Sequence, residues 1–346
     1  MAKKYRVGIL GATGTVGQRF CQLLEAHPQF EITAMAASDR SAGKVYSEAC
    51  AWKLPGKIPA NVRDIVVTPI EPPLDCDIVF SSLPGSVARE TEEAFARAGY
   101  AVISNSSVYR MDEDVPLLIP EINADHVGLI EKQRENRGFA KGFIVTNPNC
   151  AVVSFAPPLA ALHRKFGVES VIVTTLQAIS GAGYPGVAAL DITDNVFPYI
   201  AGEEPKVETE AQKILGVFTE SGIQKADFTV SAQCFRVNVV DGHMASVRVN
   251  LKKTAALDEV IDAMKTFPSL DLHSSPARFI DVTDEPSRPQ TRLDRDNGNG
   301  MTITVGRVFP DTVYDYRFVA LSHNTVRGAA GCAILNAELL IDKGII

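Results

Sequence analysis

Gly11, Gly14 and Gly17 fall at three-residue intervals between the apolar, β-branched run Tyr5–Leu10 and the helically spaced segment Val16–Ala26. A strand that turns through glycine into a helix is a strong constraint. Without side chains in the turn, backbone N–H groups and the helix N-terminus can approach a pyrophosphate. The same alternation continues with strand candidates at Phe30–Ala37, Ile65–Thr68, Ile78–Ser81 and Ala101–Asn105, and a helix at Ser86–Ala98. This βαβ rhythm predicts a mostly parallel sheet with helices on both faces, a Rossmann-type dinucleotide-binding domain. Gly11, Thr13, Gly14, Thr15 and Val16 form the expected cradle, with Ser82 at the end of a neighbouring strand. The segment after the second strand, Ala37-Ser38-Asp39-Arg40-Ser41-Ala42-Gly43-Lys44, decides between cofactors. Ser38, Arg40, Ser41 and Lys44 suit a ribose 2′-phosphate, since arginine offers bidentate recognition, so NADP is expected; Asp39 keeps NAD open.

At 346 residues the chain is long enough for two domains. Beyond Pro148 its character changes: a helix is expected over Cys150–Phe166, broken or kinked at Pro157-Pro158. Longer alternating strands follow at Glu169–Ala178, Phe228–Val240, His243–Leu251, Met301–Phe309 and Tyr314–Leu321, which suit a large mixed sheet. Residues 284–300, rich in Pro, Gly, Asn and charge, read as a long loop, and a small-residue helix spans about 325–343. The fold class is therefore α/β: a dinucleotide domain over 1–149, rejoined by a helix at about 324–346, and an α+β catalytic and dimerisation domain over 150–323. A two-fold partner is the economical cover for the second sheet's exposed face, so a homodimer or dimer of dimers is expected.

The net charge of −7 argues against a nucleic-acid surface. No apolar run reaches the ~20 residues of a membrane span. Met1–Lys4 leads into a strand and not into a signal sequence. Six scattered cysteines without a CxxC pair fit a reducing, cytoplasmic setting and no metal site.

Five of those cysteines read as buried filler. Cys150 does not, because Asn147-Pro148-Asn149-Cys150 places it between a strand and the first residues of a helix. There, a helix N-terminus and a nearby cation lower a thiol pKa by about two units, making it a nucleophile. Among six histidines, His243 is the best partner. Arg236, Asn238 and Val240 share one strand face, and a tight turn at Asp241-Gly242 would pair His243 with Val240 on that face. The glycine-rich stretch Gln177–Gly186 could admit a substrate or flat ring closely, and Glu203-Glu204-Pro205-Lys206 begins a charged helix.

Together, the Gly11–Gly17 loop, Asn-Pro-Asn-Cys150, Gln177 with Ser-Gly-Ala-Gly-Tyr-Pro-Gly, Asp241-Gly242-His243, Arg288-Pro289-Gln290 with Arg292-Leu293-Asp294, and His323-Asn324-Thr325-Val326-Arg327-Gly328 resemble the aspartate-semialdehyde dehydrogenases, in their archaeal and fungal branch. The resemblance covers essentially the whole chain. It implies Cys150 as acyl-accepting nucleophile, His243 as general acid/base and Gln177 as an orienting group. It also implies Arg236, Glu203 and Asn149 around the substrate, Lys206 and Arg110 facing phosphate, and Asn324 and Gly181 beside the nicotinamide. Glu208 and Glu210 offer alternative registers to Glu203. The implied reaction is NADPH-dependent reduction of aspartyl phosphate through a cysteine thioester, with a small-molecule substrate and phosphate as partners. Two other readings are a malonyl-CoA reductase of the same fold and a dinucleotide-sensing protein without catalysis.

Overall fold

The computed structural model describes residues 4–346; the lysine-bearing start of the leader reading, residues 1–3, lies outside them. The chain divides into two compact units. Among the described residues, one comprises 4–118, 125–147 and 329–346, the other 119–124 and 148–328. The excursion of Ile119–Ala124 into the second unit has no signal in the sequence.

In the first unit, β1 (Tyr5–Leu10), β2 (Phe30–Ala36), β3 (Ile78–Ser81), β4 (Ala101–Ser104) and β5 (Phe143–Thr146) form a sheet in the order β2-β1-β3-β4-β5. Every pairing is parallel. The short strands β3, β4 and β5 are buried along their whole length, as both faces of a doubly wound sheet require. Helices α1 (Thr15–Leu24) and α2 (Gly85–Arg97) follow β1 and β3. The expected strand at Ile65–Thr68 is not one. Its residues make only isolated bridges, Thr68 to Ala36 and Val66 to Val45, with Val66 largely exposed. An extended run without a continuous partner cannot complete a ladder. The helix near the end of the chain belongs to this unit, where Glu338 Oε1 meets His27 Nε2 at 2.8 Å and Asn336 donates to Asn147.

In the second unit, α3 (Val152–Phe166) leads into β6 (Val168–Gln177). Next come α4 (Glu204–Ile214), β7 (Thr229–Arg236), β8 (His243–Leu251), β9 (Ile280–Val282), β10 (Ile303–Pro310) and β11 (Tyr316–Ser322). The strands form one mixed sheet in the order β9-β10-β11-β8-β6-β7. Helix α3 packs on β8 and β11 and is buried from Val152 to Leu162. It runs unbroken through Pro157 and Pro158, against expectation. Each proline costs an exposed helix interior about 3 kcal/mol. Burial of nearly every neighbouring side chain holds this one together despite that. Residues on the opposite sheet face, including Ile172, Leu176, Met244 and Val319, are only half-buried.

Candidate active site

Strand register brings the chemistry together. Arg236 ends β7 opposite Gln177, which ends the parallel neighbour β6. His243 begins β8 opposite Ser322 of β11, one step beyond the Met244–Leu176 pair. Arg236, Gln177, His243 and Ser322 therefore form a row across four adjacent strands, on the buried face. The expected hairpin between β7 and β8 does not exist, because β6 lies between them. Residues 237–242 instead cross the end of β6, where Ile179 and Ser180 donate to the carbonyls of Val239 and Val240. Arg236 and His243 share a face through their common neighbour and not through a turn.

Cys150 lies in the turn just before α3, two residues ahead of the helix, and is the one cysteine not fully buried. Asn149 shapes that turn: its Oδ1 accepts from the N–H groups of Ala151 (2.8 Å) and Val152 (3.3 Å), satisfying the helix start. The Cys150 Sγ is 3.3 Å from His243 Nε2. The other ring nitrogen, Nδ1, accepts the N–H of Ala178 at 3.0 Å, and the carbonyl of Ala178 accepts from Arg236 Nη1 at 2.8 Å. Gly181 leaves the room this needs. A Cβ there would sit 2.8 Å from Arg236 Nη1 and 2.9 Å from His243 Cε1. Burial, and then the Arg236 charge, push the His243 pKa down to about 3. Burial also lowers the pKa of Arg236, against the opposing influence of Cys150 and Glu203.

Glu203, buried at the start of α4, joins the group. Its Oε1 accepts from Asn149 Nδ2 (2.9 Å) and Gln177 Nε2 (3.1 Å), and its Oε2 lies 3.4 Å from Lys206 Nζ. The other glutamates of this helix have partners of their own. Glu208 and Glu204 accept from the N–H groups of Ala232 and Cys234 on edge strand β7. Such capping removes an exposed row of donors. Glu210, fully buried, accepts the Asn149 N–H at 2.6 Å. Asn324 joins two loops, accepting from the Gly242 N–H and donating to Ser180 Oγ, both at 2.8 Å. Ala178 is the contributor the sequence did not reveal; it acts through its backbone, which leaves no local signal.

In the first unit the glycine loop closes as expected. A Cβ on Gly17 would lie 2.4 Å from the carbonyl oxygen of Gly11, so α1 can start this close to the loop only with glycine. Ser82 Oγ donates to the Leu10 carbonyl at 3.0 Å. From inside, buried Tyr46 donates to the Ala12 carbonyl (2.9 Å) and buried Gln18 to that of Thr13 (3.0 Å). Peptide planarity then turns the Thr13 N–H to the side away from Tyr46. Thr15 and Val16 open α1. Ser38, Arg40 and Lys44 are exposed beyond β2, with Ser41 partly covered. The backbone cradle and this cationic loop fit a phosphorylated dinucleotide. Arg110, buried in the same unit, donates to the Asn105 carbonyl at 2.8 Å.

Comparison with known proteins gives two family matches: "Semialdehyde dehydrogenase, NAD binding domain" over residues 6–130 and "Semialdehyde dehydrogenase, dimerisation domain" over 159–327. The chain is 52% identical to an aspartate-semialdehyde dehydrogenase of Archaeoglobus fulgidus, covering 99% of this chain and 100% of that one. It is 46% identical to that of Schizosaccharomyces pombe, covering 99% of each. A crystal structure of the Candida albicans aspartate-semialdehyde dehydrogenase with NADP superposes with a TM-score of 0.91 at 42% identity, covering 99% of this chain and 100% of that one. With relatives this close over its full length in both archaea and fungi, the chain belongs to the aspartate-semialdehyde dehydrogenase family.

Proposed function

We propose that the protein reduces L-aspartyl-4-phosphate to L-aspartate 4-semialdehyde with NADPH, releasing phosphate, by way of a thioester on Cys150. The observation that carries this reading is the 3.3 Å approach of Cys150 Sγ to His243 Nε2, beside a buried arginine and a buried glutamate. Cys150 attacks the acyl phosphate carbon; the bond to phosphate breaks and a thioester remains. Covalent capture divides one difficult reduction into two easier steps. Arg236 pairs with the substrate α-carboxylate, and Glu203, oriented by Gln177 and Asn149, takes the amino group. Lys206 and Arg110 receive the phosphate. A carboxylate and a guanidinium held in a buried site position an amino acid before chemistry begins, which lowers the entropic part of the barrier.

Gly11, Thr13, Gly14, Thr15, Val16 and Ser82 would hold the dinucleotide pyrophosphate, and Ser38, Arg40, Ser41 and Lys44 its 2′-phosphate. Gly181 and Asn324 serve the nicotinamide side. The chemistry the cofactor supplies when bound is a hydride, for which the Cys150 thioester is the acceptor.

The half-buried apolar face of the second sheet, with Ile172, Leu176, Met244 and Val319, supports a homodimer, and pairing of dimers is compatible with it. No helix among the described residues is long and apolar enough to cross a membrane. A cytoplasmic location agrees with the free thiols. The decisive assay supplies semialdehyde, phosphate and NADP to purified protein and follows nicotinamide reduction. Phosphate-dependent turnover is expected. Turnover of malonyl-CoA in its place, or of neither substrate, overturns the reading.

A further inference from the structure

We infer that Arg327, Glu121 and Gly328 are positioning residues for the acyl-accepting sulfur: a buried ion pair pins the turn after β11, and the backbone of that turn walls in Cys150 so that Sγ stays directed at His243. This rests on the thioester reading above and adds to it what holds the nucleophile in place. The three residues act through Cys150 and not on the substrate.

Gly328 has no room for a side chain. A Cβ there would sit 2.7 Å from the Cys150 Cβ and 3.1 Å from its Cα, so only glycine lets the two residues approach this closely. The chain reaches this position from Ser322, the β11 residue opposite His243. Residues 323–328 therefore join the neighbour of the histidine to the neighbour of the cysteine. They do so through one wide turn, in which the Gly328 N–H donates to the carbonyl of His323, five residues back, at 3.0 Å. Turns of this π type are rare and are found most often at functional sites. Tightening it to an ordinary helical turn would shift Gly328 relative to Cys150 and remove the wall.

What fixes the turn is the side chain next to Gly328. Arg327 Nη1 and Nη2 donate to Glu121 Oε1 and Oε2 at 2.9 and 2.6 Å, a two-pronged pair with both side chains fully buried. The guanidinium carbon also lies 4.5 Å from the centre of the Phe279 ring. Glu121 belongs to the excursion Ile119–Ala124, where the Ile122 carbonyl accepts from Arg164 of α3. Cys150 leads into that same helix, so the cysteine and the ion pair share one support. An ion pair withdrawn from water gains little net stability, because desolvation offsets the attraction, whereas its planar fork admits a single arrangement. The pair is therefore better suited to fixing a position than to holding the fold.

The test removes both charges together. In the double variant Glu121→Leu with Arg327→Met, apolar side chains replace the pair, so the fold should persist by circular dichroism and thermal melting. With semialdehyde, phosphate and NADP, kcat should nevertheless fall by at least about 30-fold and KM for semialdehyde should change by less than about threefold, since a misplacement near 1 Å costs on the order of a hundredfold. In free protein, iodoacetamide alkylation of Cys150, read by mass spectrometry of its peptide, should titrate at least about half a unit closer to the ~8.5 of an unperturbed thiol, because Sγ no longer faces the His243 ring. Gly328→Ala should reproduce both changes with the ion pair intact. Arg327→Lys, which keeps the charge without the fork, should fall between the parent and the double variant. A folded double variant, or a folded Gly328→Ala, with parental kcat and alkylation profile overturns the proposal. So does a loss of activity that only follows loss of folded protein, with the folded fraction alkylated as in the parent. Alkylation needs no substrate, so its profile decides this inference even where aspartyl phosphate is not turned over, and its failure leaves the thioester reading standing.

Discussion

The two units build their sites from opposite materials. In the first, the cradle is backbone: a single stretch from Gly11 to Val16 at the end of β1, shaped by glycine and braced from behind by Tyr46 and Gln18. In the second, the site is side chains. Cys150, Gln177, Glu203, Arg236 and His243 come from separate elements: the strand order β8-β6-β7 aligns Gln177, Arg236 and His243, and the starts of α3 and α4 bring Cys150 and Glu203 to them. Their tolerance of change should differ accordingly. A backbone site fails when something is added, a side-chain site when something is taken away.

The sharpest test of that contrast is removal of the sulfur. Cys150→Ser deletes the nucleophile while retaining its size, so kcat should fall by at least about a thousandfold. NADPH binding, followed by fluorescence titration, should remain unchanged. Activity near that of the parent would rule out the thioester route. Loss of NADPH binding alongside turnover would show that the two sites are not built independently. The opposite experiment adds a single carbon to the cradle. Gly17→Ala places its Cβ 2.4 Å from the Gly11 carbonyl oxygen, a backbone atom that cannot rotate away. NADPH should bind about 10- to 100-fold more weakly, a loss of roughly 1.4–2.8 kcal/mol. The rate at which iodoacetamide alkylates Cys150 should not move. Undiminished NADPH affinity would show that the α1–loop contact is not what shapes the cradle.

The same distinction explains what the sequence disclosed. The cradle was legible because its residues are neighbours in the chain, and β1, β3 and β8 were read to their true limits because apolar alternation is local too. In the second unit, local context singles out Cys150 and His243, whereas roles for Gln177, Glu203 and Asn149 come only with the family resemblance. Period-two reasoning placed Arg236 and His243 on one face, but by way of a hairpin that the fold replaces with a crossing over β6. No local pattern in Phe228–Leu251 announces that a third strand will separate its two halves. For Ala178 the difficulty is deeper, since its contribution is a peptide group that any residue except proline would present in part. Pro157 and Pro158 show the converse. A local rule was correct about their intrinsic cost and was outweighed by burial that the rule does not count.

The smallest effect belongs to the loop after β2, whose exposed side chains are proposed to extend the backbone-built site. Arg40 is exposed beyond β2, and Lys44 Nζ donates to its carbonyl at 2.8 Å, so the loop keeps its form without the guanidinium. Arg40→Ala should therefore leave folding, Cys150 alkylation and kcat at their parental values. On the proposed reading, the loss is confined to one charge-assisted contact with the 2′-phosphate at a solvent-screened position, where such pairs contribute modestly. KM for NADPH should rise by about 5- to 20-fold, corresponding to roughly 1–2 kcal/mol, while KM for NADH should change by less than about twofold. The ratio of the two is the informative quantity, because a general disturbance of the cradle would weaken both cofactors together. An equal rise for NADH would place Arg40 among the groups that hold the loop. No rise for either would transfer the 2′-phosphate to Ser38, Ser41 and Lys44.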